Sequence, residues 1–334
     1  MVKEADFYQK LDGAVQCTLC PHNCRLTADE WGVCGVRQNC GGALVTHVYE
    51  AAVAAQVDPI EKKPLFHVFP GSRSFSVATV GCNFRCSFCQ NYHISQVKGG
   101  PARQPSLPAA QVVQLALEHG CRTIACTYTE PTVFFEYAYD IARIAKDQGI
   151  DIVWVTNGFI NPAPLRKIAP FLAAANVDLK GWSESFYREV CGGELKPVLH
   201  SLKLMKHLGI WVEVTTLAVT GHADDDDTLR SIARFIAGEL GPETPWHVSR
   251  FHPDYRYVGA PPTAPEVLVR ARQIGVAEGL RYVYYGNWPG EGENTFCHGC
   301  RRPLIERRGY RILSNVIKDG KCPKCGTVVA GMGM

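Results

Sequence analysis

The sequence has no long hydrophobic run and no strong excess of charge of either sign. None of its apolar stretches approaches the roughly 18 residues that a membrane-spanning helix needs. The first residues, MVKEADFYQKLDGAVQC, include acidic side chains and lack an apolar centre, so we expect no secretory signal and a cytoplasmic protein. The net charge of +3 is too small to indicate nucleic-acid binding. With 46% hydrophobic and 20% charged residues, the chain should fold around a substantial core.

Cysteine, by contrast, is abundant and clustered. Of the 15 cysteines, five lie within 17–40, three within 82–89 and four within 297–325. Disulfide frameworks are typical of small secreted domains, whereas this chain has 334 residues and no predicted secretory signal. Short spacings in such a chain favour metal or iron–sulfur ligation.

Composition and periodicity divide the chain into three predicted regions. These are a cysteine-rich N-terminal extension (1–75), a region of alternating strand and helix patterns (76–288) and a C-terminal module (289–334). In the middle region, apolar stretches predict strands at 74–80, 123–128, 151–157, 175–180, 211–217 and 246–251, and 281–287 predicts an edge strand. Six successive βα units predict an α/β fold with a parallel sheet, either open or curved into a partial barrel.

Polar or ionisable residues recur where these predicted strands end. They are Cys82, Glu130, Asn157, Asp178, Lys180 and His252. Because the carboxyl ends of parallel strands form the active-site rim of such folds, these side chains are candidates for one common site.

The stretch GCNFRCSFCQN places Cys82, Cys86 and Cys89 at a CxxxCxxC spacing. This spacing lets three thiolates converge from one loop. A cubane cluster normally takes four protein thiolates, so three would leave one iron open to a substrate or cofactor. The alternative is a zinc site that borrows a fourth ligand, such as His93.

The cysteine spacing, with Phe88 before the third cysteine, resembles the signature of the radical S-adenosylmethionine (SAM) superfamily. The resemblance implies a partial (β/α)6 barrel and a 4Fe–4S cluster whose open iron binds SAM. Reductive cleavage of SAM would release a 5′-deoxyadenosyl radical that abstracts hydrogen from a substrate. The stretches VDPIEKKPLFHVFPG, CQNYHISQ, TYTEPT, VTNGF, NVDLKG and SRFHPDY are similar to the branch related to pyruvate formate-lyase activating enzymes. More narrowly, they resemble the AmmeMemoRadiSam system radical SAM enzymes.

This resemblance assigns cofactor contacts to single positions. It implies that Glu130, in a Tyr-Thr-Glu-Pro stretch where activating enzymes have Gly-Gly-Glu-Pro, binds the SAM amino group. Asn157 would lie near the ribose, and Phe88, Asp178, Lys180 and His252 would also line the cofactor site. Each polar residue has a structural alternative: a helix N-cap for Glu130, an Asn-Gly turn for Asn157, a salt bridge for the Asp-Lys pair and a structural histidine.

The two terminal cysteine groups predict further metal sites. Cys297, Cys300, Cys322 and Cys325 form two CxxC pairs, which is a strong zinc-ribbon pattern with a rubredoxin-like iron site as the alternative. Cys17, Cys20, Cys24 and Cys34 supply four further thiolates, with Cys40 and His22 as extra candidates. Zinc is favoured there as well, and a second iron–sulfur cluster is the alternative.

The leading functional hypothesis is therefore a radical SAM enzyme, oxidoreductase-like and related to activating enzymes, that acts on an unidentified protein or small molecule. The alternatives are a glycyl radical enzyme activating enzyme, an RNA-modifying radical enzyme and, more remotely, a binding protein with zinc alone. The expected partners are an electron donor such as flavodoxin or ferredoxin and, from the resemblance, Memo or AMMECR1 family proteins. Membrane and nucleic-acid partners are not expected.

Overall fold

A computed structural model describes residues 1–102, 104–288 and 290–334. The N-terminal region folds into two small antiparallel sheets, ordered β1-β6-β5 and β2-β3-β4. Their strands are β1 (Lys3–Glu4), β2 (Tyr8–Leu11), β3 (Ala14–Cys17), β4 (Arg25–Leu26), β5 (Arg37–Cys40) and β6 (Ala43–Thr46). The buried side chains of Val15, Val36 and Leu44 pack into the main core of the molecule. The cysteines of this region are therefore held against the rest of the fold.

The centre of the molecule is an eight-stranded sheet in the order β14-β13-β12-β11-β10-β9-β8-β7. Its strands are β7 (Ala54–Pro59), β8 (Arg73–Ala78), β9 (Thr123–Cys126), β10 (Asp151–Thr156), β11 (Leu172–Asp178), β12 (Trp211–Ala218), β13 (Trp246–Arg250) and β14 (Val283–Gly286). Strands β8 to β14 run parallel, and β7 adds an antiparallel edge next to β8. Within the described residues β7 and β14 do not pair with each other, so the sheet is open. The predicted α/β partial barrel is confirmed.

Helices connect the parallel strands. They are α1 (Tyr92–Ser95), α2 (Ala109–Glu118), α3 (Phe135–Asp147), α4 (Pro162–Ile168), α5 (Glu184–Phe186), α6 (Leu195–His207), α7 (Asp226–Phe235) and α8 (Pro265–Ala277). In α3, Ile141 is fully buried, as are Ala138 and Ala145 at helical spacing on either side of it. Burial of one such large side chain stabilises the fold by about 1.5–3 kcal/mol. In the parts of the chain that the structure describes, none of the helices has the length and apolarity to cross a membrane.

Shorter helical turns lie close to the strand ends. They are 3₁₀ turns at Ile60–Lys62, Pro131–Phe134, Ala169–Phe171 and Glu291–Glu293, and π-helical turns at Tyr187–Cys191 and Ile236–Leu240. The aspartate run at 224–227 starts α7, where Asp225 Oδ1 accepts a hydrogen bond from Thr228 N at 2.9 Å. That run therefore caps a helix, as its composition predicts.

The C-terminal module is a three-stranded antiparallel sheet of β15 (Thr295–Phe296), β16 (Pro303–Arg308) and β17 (Arg311–Asn315). Its buried Leu304 and Ile305 pack with Phe66 and Tyr284 of the barrel. The imidazole of His67 strengthens this junction, since its Nδ1 donates to Ala330 O at 2.6 Å and its Nε2 accepts from the Tyr284 hydroxyl at 2.7 Å. Burial lowers the pKa of His67 to about 4, so the ring is neutral at physiological pH.

The N-terminal region also contributes to the barrel, because β7 pairs with β8 along its whole length. The boundaries predicted at residues 75 and 288 stay predictions.

Candidate active site

One large cavity lies where the strands of the main sheet end. It has a volume of about 320 Å³. Among the residues that line it are eight of the nine candidates for the central site: Cys82, Cys86, Phe88, Cys89, Glu130, Asn157, Asp178 and Lys180. His252 is exposed and is not among the lining residues that the structure describes. The assigned role of His252 stays a prediction without structural support.

The three central cysteines lie on the loop that follows β8. Gly81 starts this loop with φ +100°, and a Cβ at this position would approach Val36 Cγ1 to 2.5 Å, so glycine is required. The π-helical turn at Tyr187–Cys191 is hydrogen-bonded to this loop, since Arg85 N donates to Cys191 O at 2.7 Å. The sequence therefore fixes the backbone of the cysteine loop on both sides.

Cys86 of this loop is buried, whereas Cys82 and Cys89 are half-buried and have hydrogen-bond partners. Cys82 Sγ accepts from Phe84 N at 3.3 Å, and Cys89 Sγ lies 3.2 Å from Ser95 Oγ. Burial raises the pKa of Cys82 and Cys89. A bound metal cation reverses this preference, because it stabilises the thiolate directly.

The carboxylate of Glu130 is fully buried and is used by the protein itself. Oε1 accepts hydrogen bonds from Thr132 N at 3.0 Å, Thr132 Oγ1 at 2.6 Å and Thr156 Oγ1 at 2.7 Å. Oε2 accepts from Asn157 N at 2.8 Å. Burial raises the pKa of Glu130 even though these four donors oppose the shift. Each carboxylate oxygen offers about two lone-pair sites, so the three donors on Oε1 saturate it, whereas Oε2 accepts one hydrogen bond and keeps one site.

Glu130 is therefore the N-cap of the 3₁₀ turn at Pro131–Phe134, as the structural alternative predicts. It also lines the cavity. Its hydrogen bonds to Thr156 and Asn157 tie the loop after β9 to the end of β10. A direct contact with a ligand ammonium would be limited to the remaining lone pair of Oε2. We therefore describe Glu130 as a residue that positions its neighbours.

Asn157 connects β10 to the cysteine loop. Its Nδ2 donates to Asn83 Oδ1 at 2.8 Å and lies 3.8 Å from Cys82 Sγ. Its Oδ1 accepts from Phe159 N at 2.9 Å, and Gly158 has φ +70°. The side chain therefore makes a turn of its own and at the same time supports the first cysteine.

Asp178 and Lys180 form an ion pair on the cavity wall, with Nζ 2.9 Å from Oδ2. Burial lowers the pKa of Lys180, but Asp178 and the nearby Cys86 thiol outweigh this effect and raise it well above the usual range. Lys180 is therefore a permanent cation next to the cysteine loop. Phe88 is buried and stacks on Phe186, with ring centroids 6.0 Å apart.

Lys62 and Tyr128 also line the cavity, although sequence reasoning did not select them. Asp58 is hydrogen-bonded to both residues. Burial alone would raise the pKa of Asp58, but hydrogen bonds lower it, and the donors are Lys62, Lys63, Tyr128 and Ser76. The adjacent lysines of the EKKP stretch, Lys62 and Lys63, are the sequence signal that could have pointed to this part of the site. Tyr128 has φ +65°, in the left-handed region that favours glycine.

The C-terminal cysteines form a compact group. The Sγ atoms of Cys297, Cys300, Cys322 and Cys325 all lie within 4.8 Å of one another. The Thr327 hydroxyl, 3.1 Å from Cys325 Sγ, lowers the pKa of this thiol to about 6, so its thiolate is accessible at neutral pH. These four residues could hold a metal ion.

The N-terminal cysteines surround a small separate cavity. It is lined by Cys17, Cys20, Cys24 and Cys34, with His22 and Arg37 beside them. Burial raises the pKa of Cys20, and the neighbouring thiols of the group raise it further. Cys40, in contrast, is exposed and lies outside this lining, with its Sγ 3.3 Å from Gln38 Oε1.

Comparisons with known proteins agree with this geometry. Residues 76–236 match the model of the Radical SAM superfamily. The "Uncharacterized protein MJ0808" of Methanocaldococcus jannaschii is 44% identical, over 97% of this chain and 98% of that protein. The "Putative glycyl-radical enzyme activating enzyme MJ1632" of the same organism is 19% identical, over 61% of this chain and 78% of its own length. In fold, a radical SAM methyltransferase from Sphaerobacter thermophilus is similar, with a TM-score of 0.52, 20% identity and coverage of 66% of this chain and 68% of that one.

Proposed function

Because the chain belongs to the radical SAM superfamily, and is thus an enzyme, we propose that Cys82, Cys86 and Cys89 hold a 4Fe–4S cluster with SAM beside it. The observation that carries this proposal is the convergence of three thiols from one loop on a single cavity. No fourth cysteine is among the described residues that line it. When bound, the cluster and SAM supply a 5′-deoxyadenosyl radical that abstracts hydrogen from an unidentified protein or small-molecule substrate.

The cavity fits this pair in size and in chemistry. Its volume of about 320 Å³ is within the range of roughly 300–1,000 Å³ typical of small-molecule sites. Hydroxyl and amide side chains, such as Thr127, Asn91 and Ser249, line it together with apolar Val155 and Leu217. Hydroxyls and amides can both donate to and accept from the ribose and base of a nucleoside.

The residues of this chain have distinct roles in the proposal. Lys180 provides a fixed positive charge for the carboxylate of SAM, with Asp178 holding its side chain in place. Asn157 orients itself against Asn83 and approaches the sulfur of Cys82, so it supports that ligand. Glu130 holds Asn157 in position through its backbone N–H.

The experiment that tests the function is 5′-deoxyadenosine formation. The protein is purified without oxygen, reconstituted with iron and sulfide, and incubated with SAM and a reductant. We expect brown protein and 5′-deoxyadenosine from the wild type. In Cys86→Ala we expect no 5′-deoxyadenosine and loss of the iron bound at the three central cysteines. Cys40→Ala is the matched control, since Cys40 is exposed and outside both cysteine-lined cavities, and it should behave as wild type. Intact SAM after incubation with the reconstituted wild type would contradict the proposal.

The C-terminal module is proposed to bind zinc. Support comes from the compactness of the group, since Cys297 and Cys325 have their Sγ atoms 3.5 Å apart and Cys300 and Cys322 have theirs 3.7 Å apart. Tetrahedral zinc with Zn–S bonds of about 2.3 Å places its sulfurs about 3.8 Å apart. We propose that this zinc is structural.

The substrate could be a glycyl radical enzyme, in which case the chain would abstract hydrogen from a backbone glycine. The similarity to the putative activating enzyme of Methanocaldococcus jannaschii supports this second candidate. Electron paramagnetic resonance of a candidate partner, incubated with this enzyme, SAM and reductant, would detect the glycyl radical. We further propose a cytoplasmic enzyme that receives electrons from flavodoxin or ferredoxin. Memo and AMMECR1 family partners stay a prediction from the sequence resemblance.

A further inference from the structure

The cysteine groups of this protein fall into two geometric classes. In the C-terminal group all four Sγ atoms lie within 4.8 Å of one another, which is close to the spacing around a single tetrahedral metal ion. In the described residues no other group of three or more potential ligands is so compact. The N-terminal cysteines therefore share the wider arrangement of Cys82, Cys86 and Cys89, although they are four in number.

The four N-terminal cysteines line one small cavity. It has a volume of about 20 Å³, enough for a water-sized sphere, and its remaining walls include apolar Leu19, Val33 and Val133. A single zinc ion holds its four sulfurs about 3.8 Å apart, whereas no three of the N-terminal thiols lie within 4.8 Å of one another. In a cubane each iron lies between a thiolate and the cluster centre, so the thiolates stand further apart.

A buried cation adjoins this cavity. Arg37 is 1% exposed, and its Nη1 lies 3.9 Å from Cys17 Sγ. Its Nη2 pairs with Glu136, while its Nε is buried and has no protein partner in the described residues. A guanidinium here stabilises an anionic thiolate assembly, and hydrogen bonds to ligand sulfurs tune the potential of an iron–sulfur cluster.

The N-terminal group also lies directly against the central cysteine loop. His22 Nε2 donates to Asn83 O at 2.7 Å, and Asn83 follows Cys82 in the chain. On the other side of the group, Arg85 donates to Val33 O, and a Cβ at Gly81 would be 3.0 Å from Cys34 O. The two sites share a wall of backbone.

We propose that Cys17, Cys20, Cys24 and Cys34 ligate a second 4Fe–4S cluster in place of the zinc expected from sequence. Four thiolates close this cluster on all sides, so it has no open iron for SAM. Its place beside the central cysteine loop makes it a redox group next to the reaction chamber. The binding of this cluster does not depend on the function proposed above.

The test is a metal and sulfide analysis of the full chain with the central ligands removed. In the triple variant Cys82→Ala, Cys86→Ala, Cys89→Ala, reconstituted without oxygen, we expect about four iron and four sulfide per chain. We also expect absorption near 400 nm and an electron paramagnetic resonance signal after reduction. Addition of Cys20→Ala should abolish or strongly reduce all of these signals, whereas addition of Cys40→Ala should leave them unchanged.

A colourless triple variant with two zinc ions per chain, or one with a single iron and no sulfide, would overturn the proposal. If the triple variant does not fold, the wild type decides. About eight iron and one zinc per chain support the second cluster, and about four iron and two zinc overturn it. Because SAM cleavage is not measured, failure here is distinct from failure of the proposed function.

Discussion

The substitution Glu130→Gln separates a positioning role from direct cofactor binding. The glutamine oxygen can replace Oε1 as acceptor for Thr132 and Thr156, but its NH2 group then faces the Asn157 N–H, which lies 2.8 Å from Oε2 in the wild type. A buried donor left without a partner costs about 1–3 kcal/mol, and the surviving bonds lose the strength that a charged acceptor gives. Removal of a buried charge offsets part of this loss. We expect the free energy of unfolding to fall by about 2–4 kcal/mol.

The assay is anaerobic urea denaturation followed by tryptophan fluorescence, with the SAM dissociation constant measured on the same reconstituted samples. Asp178→Asn is the matched control, because it makes the same chemical change at the same cavity. Asp178 is 35% exposed and forms a salt bridge with Lys180. Asp178→Asn should therefore lower the free energy of unfolding by less than about 1 kcal/mol. If Glu130→Gln weakens SAM binding while its unfolding free energy stays within about 0.5 kcal/mol of wild type, the positioning argument is refuted.

Three further predictions concern other parts of the molecule. Lys180→Met should weaken SAM binding about tenfold or more at unchanged iron content, and loss of iron instead would assign Lys180 to cluster support. The pKa of His67 is about 4 in the folded protein and about 6.5 in the unfolded chain. As the pH falls, the unfolded chain therefore binds the proton first, and the free energy of unfolding declines below about pH 6.5. Between pH 7.5 and 5.5 the wild type should lose about 1.3 kcal/mol more than His67→Gln, and equal losses would contradict this. Cys322→Ser should remove one metal per chain and expose residues 295–315 of the C-terminal module to cleavage by trypsin. Resistance to trypsin equal to that of the wild type would show that the module folds without metal.

The parallel sheet was predictable because its strands are short apolar runs closed by polar residues. Strand β12, predicted at 211–217, is Trp211–Ala218 in the structure, and the others agree similarly. The edge strand β7 was harder to predict, since its Ala-Ala-Gln-Val-Asp-Pro sequence has one buried residue and no apolar alternation. Its pairing with β8 depends on tertiary context.

The candidate site, too, could be predicted only in part from the sequence. Local spacing was enough to bring Cys82, Cys86 and Cys89 to one cavity, but it could not reveal that Glu130 accepts hydrogen bonds from Thr132 and Asn157 of its own chain. His252 follows a strand, like the other candidates, yet its side chain faces outward. Strand ends specify which loop a residue occupies, whereas the direction of its side chain depends on the loop conformation.

Tyr310 belongs to the turn between β16 and β17 in the C-terminal module, and yet it is one of the residues that line the central cavity. A hairpin between two pairs of cysteines in the sequence thus contributes to the wall of a chamber built by the barrel. The wall of the central chamber is therefore drawn from two regions that lie far apart in the sequence, the barrel and the C-terminal module.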